Sequence, residues 1–199
     1  LLSYLEGATQ LDNWQTSVTS GEGTAYGLEW IAEKQRGATR GWVSYTLSRS
    51  TRRFDAINRG EAYPFRYDRR HNFNAAILHR FNEHAEVSAS YTYSSGLAIT
   101  LPNGQYTITL PGMGEVVVIE YGARNAFRLP AYHRLDVGLN LSFEGKHLKH
   151  LLNLGVYNVY NRRNILYVRT SFDAQGQLRR YQPTAFLPIL PSVNYTVKF

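Results

Sequence analysis

Apolar and polar residues alternate strictly over long stretches of the chain. In residues 131–143 the apolar positions are Leu135, Val137, Leu139, Leu141 and Phe143, and aspartate, glycine, asparagine and serine occupy the positions between them. A period of two places successive side chains on opposite faces of a β-strand. The sequence therefore predicts amphipathic strands with one apolar face and one polar face.

Seven complete strands and one stub follow this pattern. We predict the strands at residues 21–34, 41–54, 69–81, 84–97, 131–144, 150–163 and 188–199, and the stub at residues 1–5. Strands in soluble sheets usually have about 5–6 residues, and these segments have 12–14. Such lengths suit tilted strands that cross a bilayer.

The predicted connections alternate between short and long along the chain. The short ones cover residues 35–40, 82–83 and 145–149, and the long ones cover residues 6–20, 55–68, 98–130 and 164–187. Two hairpins are predicted inside long connections, one over residues 101–128 and one over residues 165–186 with its turn at residues 174–176. Transmembrane barrels have tight turns at one rim and long loops at the other. A soluble β-sandwich whose polar face meets water is the alternative that remains open.

Composition and charge argue against several classes of function. The chain has no cysteine, which excludes a disulfide framework and a thiolate metal site. Its net charge is +7, but the basic residues cluster at strand ends and leave the alternating faces intact, which disfavours nucleic-acid binding. The sequence contains no Gly-x-Ser-x-Gly, His-Glu-x-x-His or phosphate-loop motif. We therefore expect no enzymatic activity, no cofactor and no metal site.

The last predicted strand ends in an aromatic residue. Tyr195, Val197 and Phe199 occupy alternate positions and share one face of this strand. This arrangement is similar to the signal by which the barrel-assembly machinery recognises bacterial outer-membrane barrels. We interpret these three residues as an assembly signal.

Six segments, in this order, resemble consecutive barrel segments of TonB-dependent outer-membrane receptors. They are residues 19–29, 41–48, 67–71, 129–136, 158–164 and 191–195. The most specific element is the Tyr-Asn-Val-Tyr-Asn motif at residues 157–161, in the predicted penultimate strand.

The resemblance implies that residues 1–199 are the C-terminal segment of a membrane-spanning, antiparallel, up-and-down β-barrel. Plugged transporters of this kind have about 22 strands. The implied protein lies in the bacterial outer membrane and imports a scarce or large nutrient, such as a metal chelate, vitamin, glycan or peptide. Implied partners are outer-membrane lipids and lipopolysaccharide, the barrel-assembly machinery, a surface lipoprotein, and the TonB system through a plug-bearing N-terminal region that this segment lacks.

A second interpretation of the same pattern is an autonomous eight-stranded outer-membrane barrel that acts as a lipid-modifying enzyme or an adhesin. It requires the stub at residues 1–5 to extend into a full strand and to pair with residues 188–199.

Arginines supply the candidate ligand-binding residues. Pairs of arginines occur at residues 52–53, 69–70, 162–163 and 179–180, at strand ends or in long connections. A cationic extracellular mouth would attract an anionic nutrient, and the candidates are Arg52, Arg70, Arg124, Arg128 and Arg163. A structural role is the favoured alternative. In it, outward arginines hold lipopolysaccharide phosphates and inward ones pair with Asp55, Asp68 and Asp136.

Overall fold

The computed structural model describes residues 2–4, 18–112, 114–172, 178–185 and 187–199. Within these residues the chain forms β-strands and one short 3-10 turn, and it forms no α-helix. Every paired strand in the described part is antiparallel to its neighbour. The prediction of an all-β, antiparallel chain is confirmed.

The strands are numbered in chain order. They are β1 (Leu2–Tyr4), β2 (Val18–Ser20), β3 (Glu22–Lys34), β4 (Thr39–Arg53), β5 (Tyr63–Pro64), β6 (His71–Arg80), β7 (Ala85–Ser94), β8 (Ala98–Ile99), β9 (Pro102–Leu110), β10 (Gly114–Tyr121), β11 (Phe127–Arg128), β12 (Tyr132–Glu144), β13 (Lys149–Tyr157), β14 (Ile165–Phe172), β15 (Leu178–Ala185) and β16 (Leu190–Lys198).

Seven long strands form one sheet, which we call the main sheet. Their order in space is β3, β4, β6, β7, β12, β13 and β16, with the short β5 paired to the end of β4. Spatial order follows chain order, so the main sheet is an up-and-down meander. Among the described residues no pairing joins β3 to β16, and the main sheet is open at these two edges.

The seven long strands agree closely with the predicted ones. The largest difference is at β13, which was predicted to reach residue 163 and ends at Tyr157. The predicted stub is β1, and it pairs with β2 at residues 18–20. The autonomous eight-stranded interpretation needed this stub to pair with the last strand, and in the described residues β16 pairs with β13.

The connections separate onto two rims of the main sheet. Short connections at residues 35–38, 81–84 and 145–148 form one rim, which we call the short rim, and connections at residues 54–70, 95–131 and 158–189 form the other, the long rim. The two predicted hairpins are confirmed as β9–β10 and β14–β15. The predicted turn at residues 174–176 lies outside the described residues.

Strand register aligns the apolar positions across the whole main sheet. One cross-strand row runs from β4 to β16 through directly paired positions. Its members are Thr39, His79, Val87, Leu139, Leu154 and Val193. Because side chains alternate, the parallel polar row on the other face includes Glu86, Asn140, Asn153 and Asn194. The predicted division into an apolar and a polar face therefore extends over all seven strands.

The apolar face of the main sheet is not covered by another layer of the described chain. Leu28 in β3 is 71% exposed, and Val193 and Tyr195 in β16 are 72% and 59% exposed. Within the described residues, the buried apolar side chains all lie in the long-rim connections and none lies in the seven long strands. They are Phe54, Ile57, Tyr63, Ala98 and Leu129.

A buried asparagine explains why β13 ends at Tyr157. Asn158 adopts a left-handed backbone conformation with φ of 55°, which asparagine tolerates better than most residues. Its side-chain Nδ2 donates to the carbonyls of Arg162 and Leu187 at 2.9 and 3.2 Å, and its Oδ1 accepts from the Arg162 N–H at 3.0 Å. Its backbone N–H donates to Oδ1 of Asp136 in β12 at 2.9 Å. Asn158 thus folds the third long connection back onto the sheet.

Replacement of this asparagine tests its role. We expect Asn158→Ala to lower the free energy of unfolding by about 1–3 kcal/mol or more, because it leaves buried carbonyl and N–H groups without partners. Urea unfolding of the detergent-solubilised protein, followed by tryptophan fluorescence, measures the change. The matched control is Asn194→Ala, which alters an exposed asparagine in β16. Equal losses in the two variants would contradict this role.

Candidate functional site

The long connection at residues 54–70 forms a small core of its own at the long rim, and the 95–131 connection also has buried apolar side chains. Phe54 and Ile57 follow β4, and their side chains are buried against Tyr63 of β5. The Phe54 and Tyr63 rings stack with centroids 6.5 Å apart. Ala98 and Leu129, which belong to the 95–131 connection, are also buried. The connections are therefore packed structures rather than open loops.

An ion pair with a buried carboxylate joins these two connections. Asp68 is 3% exposed, and its carboxylate pairs with the Arg128 guanidinium. The same carboxylate accepts from the Ser50 N–H at 2.6 Å. Arg128 also donates to the carbonyls of Asp68 and Gly96, at 2.6 and 3.2 Å. The Asp68 carboxylate thus has more than one partner, as a buried charge requires.

Two asparagines in left-handed conformations add further links. Asn58 Oδ1 accepts from the Arg124 N–H at 3.3 Å, and Asn125 Nδ2 donates to the carbonyl of Pro64 at 2.9 Å. The Asn125 N–H also donates to the Thr100 hydroxyl at 3.0 Å. The first two bonds cross between the connections and the third lies within the second connection, so together they hold the surface at the long rim in one arrangement.

A cavity of about 650 Å³ lies between the connections at the long rim, and we call it the rim cavity. This volume is in the range of about 300–1,000 Å³ that small-molecule sites occupy. Its lining combines aromatic rings, arginines and aliphatic side chains from β4, β5, the two connections and β14. The aromatic and basic members are Arg52, Phe54, Tyr63, Phe65, Arg66, Tyr67, Tyr121, Arg124 and Tyr167.

The five candidate arginines do not all meet at this cavity. Arg52 and Arg124 line it, whereas Arg128 is held in the ion pair with Asp68. Arg70 lies just before β6, where its carbonyl accepts from the Ser48 N–H at 3.1 Å, and Arg163 is exposed in the third connection. Neither Arg70 nor Arg163 is among the residues that line the cavity.

The aromatic lining residues were not predicted. Phe65, Arg66 and Tyr67 alternate aromatic and basic character within one long connection, and this cluster was the available signal. Tyr121 and Tyr167 lie in the separate β9–β10 and β14–β15 hairpins. Their proximity depends on how three connections pack, which local sequence does not encode.

Inward arginines were expected to pair with Asp55, Asp68 and Asp136. Asp68 pairs instead with Arg128, a candidate ligand-binding residue, and Asp55 forms no ion pair within the described residues. The expected pair with Asp136 forms: Arg134 Nε donates to Asp136 Oδ2 at 2.9 Å, and the Arg134 guanidinium lies 4.1 Å above the Tyr157 ring. This part of the polar face is thus electrostatically paired.

The polar face near the short rim carries a cross-strand network. Arg40 and Arg80 each lie 3.7 Å from the Glu86 carboxylate. Asn140 Nδ2 donates to Glu86 at 3.3 Å, and Asn153 Nδ2 donates to Asn140 Oδ1 at 2.7 Å. The network links β4, β6, β7, β12 and β13 with small polar and charged side chains.

Tyrosine–histidine pairs border the apolar face at the long rim. The Tyr45 hydroxyl lies 2.7 Å from Nδ1 of His71, the first residue of β6, and the Tyr160 hydroxyl lies 2.8 Å from Nδ1 of His133 near the start of β12. Burial raises the pKa of the Tyr160 phenol, and the nearby Tyr91 acts in the same direction.

A similar arrangement borders the apolar face at the short rim. The Tyr195 hydroxyl lies 2.6 Å from His150 Nδ1, and their rings stack at 6.0 Å. The Thr39 hydroxyl lies 2.7 Å from His79 Nδ1, and the His79 ring meets Phe81 edge to face at 4.6 Å. Amphipathic rings thus occur at both ends of the apolar face.

The predicted assembly-signal residues lie at one edge of the main sheet. Tyr195 and Val197 are exposed on the apolar face of β16, and Phe199 follows the strand with an exposed ring. No described strand pairs with the outer edge of β16. Their recognition by assembly machinery stays a prediction.

Comparisons with protein-family profiles, with curated proteins and with solved structures gave no match to this chain. Among the described residues, no helix has the length and apolar character to span a bilayer. In the same residues no three histidine, aspartate or glutamate side chains come together as metal ligands. A proposal about function therefore rests on the rim cavity and on the two faces of the main sheet.

The ion pair between Asp68 and Arg128 is expected to hold the rim cavity in shape. We expect Asp68→Asn to lower the free energy of unfolding by about 1.5–3 kcal/mol, the usual contribution of hydrogen bonds to a charged group. Limited trypsin digestion of the folded protein should then cut the long connections faster. Asp55→Asn, an exposed change in the same connection, is the matched control. Unchanged stability and digestion in Asp68→Asn would refute this assignment.

Proposed function

We propose that the main sheet is a sector of the wall of a membrane-spanning β-barrel in the bacterial outer membrane. The observation that carries this proposal is the apolar face, which extends over seven strands with large side chains exposed. Soluble monomers rarely expose a contiguous apolar patch of more than a few hundred Å². Hydrocarbon is the environment in which such a face is stable.

The height of the apolar face supports the same proposal. On β12 it extends from His133 to Phe143, ten residues along the strand, which is about 33 Å at the usual rise. At the tilt of about 35–45° found in barrels, this length gives a band about 25 Å tall. The Tyr–His pairs at the two rims correspond to the aromatic girdles that flank such a band.

The open edges of the main sheet favour a sector of a larger barrel. Unpaired N–H and C=O groups along β3 and β16 would cost several kcal/mol each in hydrocarbon. We infer that further strands continue the sheet at both edges and close it. The polar face, with its asparagine and serine rows, would then line the barrel interior.

The class of barrel rests on sequence resemblance. The six segments described above are similar to TonB-dependent receptors, and their function would be import of a scarce or large nutrient without covalent chemistry. The long rim would face outward and capture the ligand, and the rim cavity is the candidate capture site. Outer-membrane lipids, lipopolysaccharide, assembly machinery, a surface lipoprotein and the TonB system are the partners this proposal includes.

Spin labels at neighbouring positions of β12 test the membrane claim. The chain has no cysteine, so Leu139→Cys and Asn140→Cys each give one labelling site, on opposite faces of the same strand. In phospholipid vesicles we expect the label at residue 139 to collide with oxygen and to be shielded from a water-soluble nickel chelate. The label at residue 140 should behave in the opposite way.

Two outcomes would overturn the proposal. Equal access of the nickel chelate to both labels would mean that the apolar face is not in lipid. Shielding from both reagents at residue 139 would mean that protein covers this face, as in a soluble sandwich. The label at residue 140 serves as the matched control, because the two positions are neighbours on one strand and face opposite sides of the sheet.

A further inference from the structure

The rim cavity has a one-sided charge. Arg52, Arg66 and Arg124 line it, and no aspartate or glutamate is among the described residues that do so. The nearest buried carboxylate in the two connections, that of Asp68, is already paired with Arg128. A cleft lined by one sign of charge concentrates ligands of the opposite sign. The cavity therefore favours an anion.

One of these arginines has a donor that the protein does not use. The Nε atom of Arg52 is buried, and it has no hydrogen-bond acceptor in the described part of the chain. The guanidinium lies 3.9 Å from the centroid of the Phe65 ring, which fixes its plane. Because this atom is shielded from the cavity as well, a ligand meets Arg52 at the terminal nitrogens of its guanidinium, whose positive charge favours a carboxylate.

The other walls of the cavity are aromatic. Phe65 and Tyr67 meet edge to face at 5.4 Å, and Tyr121 and Tyr167 approach from the two hairpins. Rings of this kind pack well against a flat aromatic ligand, with offset-stacked or edge-to-face geometry. The π-face of a ligand ring could also contact the arginines.

We propose that the rim cavity binds a small organic anion that carries a flat aromatic ring. Its carboxylate accepts a charge-assisted hydrogen bond from Arg52, and its ring packs among Phe65, Tyr67 and Tyr167. The proposal names the ligand class of the capture site in the proposed function, and it rests on that function for the biological role of the site. The contacts themselves are properties of the folded long rim.

Other classes of ligand would make fewer favourable contacts in the cavity. A cation would meet three arginines and no carboxylate. A neutral sugar could stack on the rings, but it would offer no negative charge to Arg52. An aliphatic anion would pair with Arg52 and would gain little from the aromatic walls. These three classes supply the comparison ligands for the test.

Three probes separate the contributions of charge and ring. They are 2-naphthoate, the uncharged 2-naphthamide and the non-aromatic cyclohexanecarboxylate, titrated by calorimetry against the purified full chain in detergent. We expect 2-naphthoate to bind at least tenfold more tightly than either of the others. Arg52→Gln should remove most of the preference for naphthoate over naphthamide, and Phe65→Leu should weaken both naphthyl compounds.

Arg36→Gln, at the exposed short rim, is the matched control and should leave naphthoate binding unchanged. The proposal is overturned if the folded protein does not bind naphthoate, or if naphthamide or cyclohexanecarboxylate binds as tightly as naphthoate. It is also overturned if Arg52→Gln and Arg36→Gln lower the affinity for naphthoate equally. Spin labels on β12 distinguish the two proposals. Lipid contact at residue 139 without naphthoate binding would overturn only the proposed ligand class. Naphthoate binding without lipid contact would overturn only the proposed membrane barrel.

Discussion

An apolar sheet face that the described chain leaves uncovered is the constraint on which the rest of the structure depends. A sheet is stable only if its apolar face is removed from water, by a second layer or by another apolar phase. Here the buried apolar side chains of the described residues lie in the long-rim connections, and the long strands contribute none. The main sheet therefore needs an apolar environment that removes this face from water, as a protein core would. Hydrocarbon, the environment that we propose, would meet this need, and it would also account for the length of the strands and the girdle-like rings at both rims.

The two rims of the main sheet have different structural roles. Short turns at one rim keep the strands in register, while the long connections at the other rim build a small core around Phe54 and Tyr63. The ion pair of Asp68 with Arg128 ties two of these connections to the strand ends. A cavity built on such a fixed base is preorganised, so that little ordering of the protein is needed when a ligand binds. This arrangement gives the long rim the properties of a recognition surface.

Sequence patterns predicted the main sheet well, because a period of two is a local property of each strand. The seven strands and the division into faces followed from it, and the β9–β10 and β14–β15 hairpins followed from turn residues within the long connections. The end of β13 did not, since Asn158 turns the chain through bonds to Arg162 and Leu187. The two-residue strands β8 and β11 are too short to show any period. At the candidate site, Arg52 and Arg124 were predicted, but the rings of Tyr121 and Tyr167 join them only through packing of distant connections.

Solid-state NMR of the protein in lipid bilayers would test the account most directly. Magnetisation can be transferred to the protein either from lipid acyl chains or from water, and each source marks the residues it touches. We expect transfer from lipid to reach the methyl groups of Val137, Leu139 and Val193, and transfer from water to reach Ser88 and Asn140. Strong transfer from water to Leu139 and Val193, or no transfer from lipid to any of the three methyl-bearing residues, would contradict the account.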